Sequence, residues 1–245
     1  MRLRLAVLAS ALLAPLASGP LAAQHLVPDS LFRTRAPARP VLRLWEAGLF
    51  AALGAGAMAV DQSVRNDVQD DRTSFRNHLS DVGNAFGNKL VVYPALALGA
   101  LGGKAIGSKG LTRVSWHALE ATALAGGAVE VLKTAVGRRR PTVSPDDAFT
   151  FRGVTFTDNS FPSGHTAIAF ALATTLAGET RDHWSDAGFY SLATLTAFAR
   201  VNDDKHWLSD TVFGAALGIM SARLVQRWHR PLIVGPGVVA VSAAF

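Results

Sequence analysis

Apolar residues dominate six stretches of the sequence, which polar and charged connections separate. They lie at 44–60, 90–106, 114–136, 164–178, 187–201 and 208–227. All six are rich in Ala, Leu and Gly, and none shows the sustained alternation that indicates a β-strand. Segment 61–87 mixes charges with spaced apolar residues, which is typical of an amphipathic helix. The pattern predicts one all-α domain over 44–230, a helical bundle of about six core helices.

The two ends of the chain differ from this bundle. Residues 1–23 begin with two arginines, continue with an apolar run and end with small residues, which is the order of a secretory signal peptide. An uncleaved anchor helix is the alternative. Residues 24–43 contain several prolines and predict an irregular lead-in. The tail 231–245 alternates loosely, so it is compatible with a short C-terminal strand or with a tail packed on the domain.

Length and composition disagree about whether the helices cross a membrane. Uncharged runs such as 47–60 and 90–103 are shorter than the roughly 20 apolar residues of a span, although their Ala/Gly-rich composition suits membrane bundles. If the signal were cleaved outside and every apolar helix spanned, Lys133 and the motifs after it would face the cytoplasm. We therefore expect a periplasmic, membrane-associated bundle, and an integral inner-membrane protein is the alternative.

Charge and cysteine content narrow the chemistry. The formal net charge is +6, which suits phosphates or membrane surfaces as partners, and export argues against nucleic acid. No cysteine is present, so disulfides, thiolate metal sites and a cysteine nucleophile are excluded.

Basic residues follow the third apolar stretch, in "KTAVGRRRP". Lys133 and Arg140 lie seven residues apart, which is about two helical turns. Both cations can therefore point into the same opening at the end of a helix. Two cations there suit a dianionic oxygen cluster, although a solvated helix end explains the run equally well. In "PSGHT", Ser163 suits a helix N-cap and Gly164 lets an anion approach the backbone. His165 follows in the first turn, beside that anion.

The third segment is "ARVNDDKHWLSD", which contains Arg200, His206 and Asp210. His206 and Asp210 are four residues apart, so on a helix they share one face. The carboxylate can then hold one ring nitrogen and leave the other free to attack. Asp203 and Asp204 add the alternative of a metal-ligand cluster, which a solvated turn explains more simply.

Together the three segments resemble the motifs of the type 2 phosphatidic acid phosphatase family. Its superfamily includes bacterial non-specific acid phosphatases and vanadium haloperoxidases. The matching motifs are K-x6-RP at Lys133–Pro141, PSGH at Pro162–His165 and R-x5-H-x3-D at Arg200–Asp210. The family's third motif normally begins with a serine, where this chain has Ala199. One supporting hydroxyl is therefore missing, which loosens the expected placement of Arg200 without removing the activity.

The resemblance implies a phosphatase that works without metal or cofactor, with its site at one end of the bundle. His206 would be the nucleophile, Asp210 would orient it, and His165 would protonate the leaving alcohol and later activate water. The residues that would bind the phosphoryl oxygens are Lys133, Arg140, Ser163, Gly164 and Arg200.

The substrate stays open at this stage. A phosphorylated lipid is favoured, because Phe149, Phe151 and Phe156 in the loop between two motifs can contact an acyl chain. The alternatives are a non-specific acid phosphatase for soluble esters, a vanadium haloperoxidase and a catalytically silent envelope protein. The sequence predicts no oligomeric state.

Overall fold

The structure, a computed structural model, describes residues 29–32, 41–180 and 182–229. Within these residues a short 3-10 helix, Asp29–Leu31, precedes seven α-helices. They are α1 (Leu44–Asp70), α2 (Ser74–Gly87), α3 (Lys89–Ala105), α4 (Lys109–Val136), α5 (Gly164–Glu179), α6 (His183–Asn202) and α7 (Leu208–Trp228). The predicted all-α bundle is confirmed. The signal peptide, most of the lead-in and the C-terminal tail lie outside the described residues.

Helix α5 lies at the centre of the bundle and packs against α4, α6 and α7. Small side chains surround it, and a core cluster joins Ala167 and Ala171 of α5 to alanines and valines of α4 and α7. A Cβ atom at Gly214 of α7 would lie 2.6 Å from the Ser163 carbonyl oxygen, and one at Gly218 would lie 2.3 Å from that of Ala167. The two backbones therefore touch, which fixes the start of α5 against the start of α7.

Helices α1 and α7 run antiparallel, whereas α5 and α7 run parallel, so helix ends from different parts of the sequence meet. Near one end of the α1–α7 pair Arg223 donates to Glu46, and towards the other the Ser209 backbone N–H donates to Asp61. Helix α4 ends at Gly137, whose φ of 62° is in the left-handed region that glycine tolerates. The connection from 138 to 162 then folds back over the same end as the starts of α5 and α7.

Among the residues that the structure describes, two helices are long and apolar enough to cross a membrane, or three if the bent pair α2–α3 counts as one span. They are α1 and α7, with mean hydropathies of 1.2 and 1.3 over their most apolar windows. Only 17% of that window in α1 is buried, and Leu44, Leu49 and Leu53 are exposed along it. Helix α1 is longer than its uncharged run because it continues through the polar residues up to Asp70. Length therefore does not exclude a span for these two helices, and the exposed leucines indicate contact with lipid.

Candidate active site

A cavity of about 390 Å³ opens at the end of the bundle where α4 and α6 end and α5 and α7 begin. Six of the eight predicted site residues line it: Lys133, Arg140, Gly164, His165, Arg200 and His206. Ser163 and Asp210 are fully buried and lie beside the cavity wall. The structure thus brings residues from three separate motifs to one place.

His206 and Asp210 form the pair that their spacing predicts, with a different local geometry. His206 lies in the connection before α7, and Asp210 in the first turn of α7 reaches back to it. The His206 Nδ1 atom lies 3.4 Å from Asp210 Oδ2, which also accepts from the Trp207 backbone N–H at 3.0 Å. With Nδ1 engaged by the carboxylate, Nε2 is the ring nitrogen left for a reacting group.

Burial and positive neighbours lower the pKa of both histidines. Burial lowers the pKa of His206 to about 3, against the opposing influence of Asp210. Burial, with Arg200, Lys133 and Arg140 nearby, lowers the pKa of His165 to about 4. Both rings are therefore neutral at pH 7 in the empty cavity. A bound dianion would offset the cations and raise the pKa of His165, as a proton donor requires.

Contacts with protein oxygens hold two of the three cations at the cavity, Lys133 and Arg200. Lys133 Nζ donates to the Asn159 carbonyl at 3.0 Å, and burial with Arg140 nearby lowers the pKa of Lys133 to about 8. Arg200 donates through Nη1 to Asn84 Oδ1 of α2 at 2.6 Å. Among the described residues nothing accepts from its buried Nε. That donor is available to an anion in the cavity.

Asn84 of α2 contacts Arg200 from another helix. Ala199 is fully buried beside Arg200 and brings no hydroxyl. Asn84 accepts from Arg200 and donates to Asp203 Oδ2 at 2.7 Å, and Asp203 lies 3.5 Å from Arg200 Nη1. A residue of another helix thus contacts Arg200, and the effect of Ala199 on the placement of Arg200 stays a prediction.

The start of α5 forms the floor of the cavity. Ser163 is the N-cap of α5, as predicted. Its hydroxyl oxygen accepts from Thr166 Oγ1 at 3.0 Å, and its backbone N–H donates to the Asp210 carbonyl at 2.9 Å. Gly164 lines the cavity, whereas Ser163 does not. Gly164 and His165 are the parts of this motif that line the cavity.

Arginines engage the carboxylates that suggested a metal cluster. Asp204 pairs with Arg65 at 2.8 Å, and Asp203 lies against Asn84 and Arg200. Within the described residues no group of three or more His, Asp or Glu side chains could hold a metal ion. Metal independence stays a prediction, and chelation tests it.

Several residues at or behind the cavity escaped the sequence reasoning. Lys89, Tyr93 and Glu130 line its side between α3 and α4. Behind His206, the fully buried Arg138 contacts Asp210 at 2.8 Å. Arg138 is one of three consecutive arginines, and nothing in the sequence marks it as the buried one.

Comparison with known proteins points to one family. The PAP2 superfamily model matches residues 115–233, which contain all three motifs. Over these residues the chain is similar to the PAP2 superfamily. The Porphyromonas gingivalis lipid A 1-phosphatase is 38% identical over 104 residues, which are 42% of this chain and 21% of that protein. The match spans about a fifth of that relative's length.

Two solved PAP2-type structures are similar to this one. The Bacillus subtilis transmembrane PAP2-type phosphatidylglycerolphosphate phosphatase covers 74% of this chain and 92% of its own, at 18% identity and a TM-score of 0.57. Aquifex aeolicus LpxE covers 67% of this chain and 93% of its own, at 22% identity and a TM-score of 0.49. The first of these supports the helical PAP2 fold.

Proposed function

We propose that this protein is a metal-independent phosphatase that hydrolyses a phosphomonoester through a phosphohistidine on His206. The observation that carries the proposal is the neutral, buried His206, held by Asp210 and facing a cavity with Lys133, Arg140 and Arg200. Phosphoryl transfer depends mainly on positioning and on neutralising charge on the equatorial oxygens. Three cations and the start of α5 supply both.

The reaction has two steps. His206 Nε2 attacks phosphorus, the bond from phosphorus to the ester oxygen breaks, and His165 delivers its proton to the departing oxygen. Water then attacks phosphorus, the bond to Nε2 breaks, and His165 takes the proton of the water. Asp210 accepts a hydrogen bond from Nδ1–H throughout and stabilises the positive charge of the phosphorylated ring. Phosphate leaves and His206 returns to its neutral form.

A lipid phosphate is the substrate class that we propose. The cavity continues from the cations towards Tyr93, Val129 and Ile168, which offer an apolar wall to the organic part of an ester. Phe149 and Phe156 are exposed on the connection above it. The name of the Porphyromonas relative adds support, because it gives a lipid as that protein's substrate.

We propose that the protein works at a membrane on the periplasmic side. The exposed leucines of α1 support attachment to lipid. The segment Asp29–Leu31 packs against Val114 near the start of α4, at the end of the bundle away from the cavity. If the signal peptide were cleaved outside and α1 crossed the membrane, the end of the bundle away from the cavity would stay outside. The cavity would then lie in the cytoplasm. Attachment of an exported bundle to the membrane surface avoids that conflict.

A substrate panel tests the function. Detergent-dispersed lipid phosphates and soluble esters are compared in the presence of EDTA, with His206→Ala as the paired variant. We expect hydrolysis that EDTA does not reduce and vanadate inhibits, a higher kcat/KM for lipid phosphates, and no turnover by His206→Ala. Hydrolysis that requires a divalent metal would instead support the metal-ligand cluster that includes Asp203 and Asp204. No hydrolysis by the wild type would favour the silent protein, and bromination with added vanadate would indicate a haloperoxidase.

A further inference from the structure

An ionic cluster lies directly behind the nucleophile, shielded from solvent. It consists of Asp61 on α1, Arg138 after α4, and Ser209 and Asp210 at the start of α7, and these four side chains define the Asp61 cluster. Each of them is at most 1% exposed. Asp61 lies 148 residues before Ser209 in the sequence and outside the segment that matches the PAP2 superfamily.

Arg138 joins the two carboxylates of the cluster. Its Nη1 donates to Asp210 Oδ1 at 2.8 Å, and its Nη2 donates to Asp61 Oδ2 at 2.8 Å. The other oxygen of Asp210 faces His206 and the Trp207 backbone. Asp210 is therefore held by both oxygens, and Arg138 determines which oxygen faces the nucleophile.

Asp61 also fixes the helix that carries Asp210. Asp61 Oδ1 accepts from the Ser209 backbone N–H at 2.8 Å, and Oδ2 accepts from Ser209 Oγ at 2.6 Å. Every contact of its two oxygens in the cluster comes from a donor, so the carboxylate form fits the site. One side chain of α1 thus holds both Arg138 and the first turn of α7.

The charges of the cluster match the needs of the reaction. Arg138 alone would neutralise Asp210 and leave no net charge to stabilise a positive ring on His206. Asp61 shares the guanidinium, so the two carboxylates carry one charge more than the single cation. These side chains are at most 1% exposed, so bulk solvent screens that surplus little and it acts on His206 at short range.

We propose that Asp61 and Arg138 are positioning residues of the phosphatase site, which orient Asp210 and keep one surplus negative charge behind His206. The inference rests on the proposed function. It predicts that Asp61 acts on the chemical step, because the side-chain hydrogen bond that links the Asp61 cluster to the cavity lining is the one between Asp210 and His206. The residues that bind the phosphoryl group keep their places when Asp61 loses its charge.

The test compares Asp61→Asn, Glu46→Gln and the double variant Asp61→Asn/Arg138→Gln. Glu46 is the matched control, because it pairs with Arg223 at 2.8 Å between the same two helices near the end opposite the cavity. We expect Asp61→Asn to lower kcat at least about tenfold with KM nearly unchanged, since a hydrogen bond to a charged group is worth about ten- to hundredfold. Glu46→Gln keeps kcat within about twofold.

The double variant distinguishes an effect of the net charge behind His206 from an effect of lost packing. Removing Arg138 as well as the Asp61 charge returns one net negative charge to Asp210, so the double variant should turn over faster than Asp61→Asn. A purely structural role predicts the reverse, because two deletions damage packing more than one. Thermal midpoints of all variants are measured alongside.

The outcomes are distinguishable from failure of the proposed function. An inactive wild type defeats the proposed function itself. An active wild type with Asp61→Asn near wild-type kcat, or a control that loses as much, overturns the positioning role alone, and a double variant slower than the single one overturns the surplus negative charge behind His206. If Asp61→Asn does not fold, Ser209→Ala replaces it: kcat should fall about two- to tenfold at constant KM, and an unchanged kcat overturns the proposal.

Discussion

Replacement of Asn84 by alanine tests whether a residue of α2 supports Arg200 in place of the family serine. In the wild type the Asn84 Oδ1 atom accepts from Arg200 Nη1 at 2.6 Å, in a partly buried position. Asn84→Ala removes that acceptor and also the donor to Asp203. Arg200 keeps its charge, so the change acts on its position.

The magnitude follows from the contacts that remain. A hydrogen bond to a charged group contributes about 1.5–3 kcal/mol, which is roughly ten- to hundredfold in kcat/KM at about 1.4 kcal/mol per factor of ten. Asp203 lies 3.5 Å from Arg200 Nη1 and keeps part of the support. We therefore expect the lower part of that range, a loss of about 10- to 30-fold.

The assay measures kcat/KM for p-nitrophenyl phosphate together with the thermal midpoint. Asn77→Ala is the control, because Asn77 accepts from Asn202 at 3.2 Å between the same two helices and does not contact Arg200. An exposed substitution of this kind should change kcat/KM by no more than about twofold. A loss below about threefold in Asn84→Ala, or an equal loss in the control, would refute the role of Asn84.

Three further predictions concern the lysine, the acid and the membrane. Lys133 binds phosphate in its protonated form, so the lowered pKa of about 8 predicts that kcat/KM falls as the pH rises through about 8. Lys133→Arg should move that fall to higher pH, and an identical profile would remove Lys133 from the site. His165→Ala should slow esters with poor leaving groups far more than p-nitrophenyl esters, since a general acid contributes about 10²–10⁴-fold; equal losses would contradict its role. Carbonate should release part of the protein from membranes, whereas complete retention until detergent is added would show that helices span.

The three motifs were predictable because their residues lie next to helix ends. Glycine, proline and charge mark those ends in the sequence, and the antiparallel order of a bundle then brings them together. His206, His165 and Lys133 all line one cavity for this reason. The local geometry of His206 differed, because the helix begins after it and Asp210 reaches back, and Ser163 lies beside the cavity lining rather than in it.

The supporting residues could not be predicted, because no glycine, proline or charge pattern sets them apart from their neighbours. Asp61 and Asn84 are single polar residues within helices that carry many others, and their partners lie 77 to 148 residues away. Burial of Arg138 rather than Arg139 or Arg140 depends on how the loop folds back onto α1 and α7. The uncharged run of α1 likewise understated the helix, because the polar residues after Val60 continue it and make tertiary contacts, such as Asp61 with Ser209 and Arg65 with Asp204.

The most direct measurement of the central claim is the capture of the phosphorylated enzyme. The protein is mixed with a phosphate-labelled ester, quenched within one turnover and digested for mass spectrometry. The account predicts a label that is stable in alkali, labile in acid and located on His206, and it predicts no label in His206→Ala. A wild type that turns over without any trapped label, or a label on His165 or on a carboxylate, would contradict it.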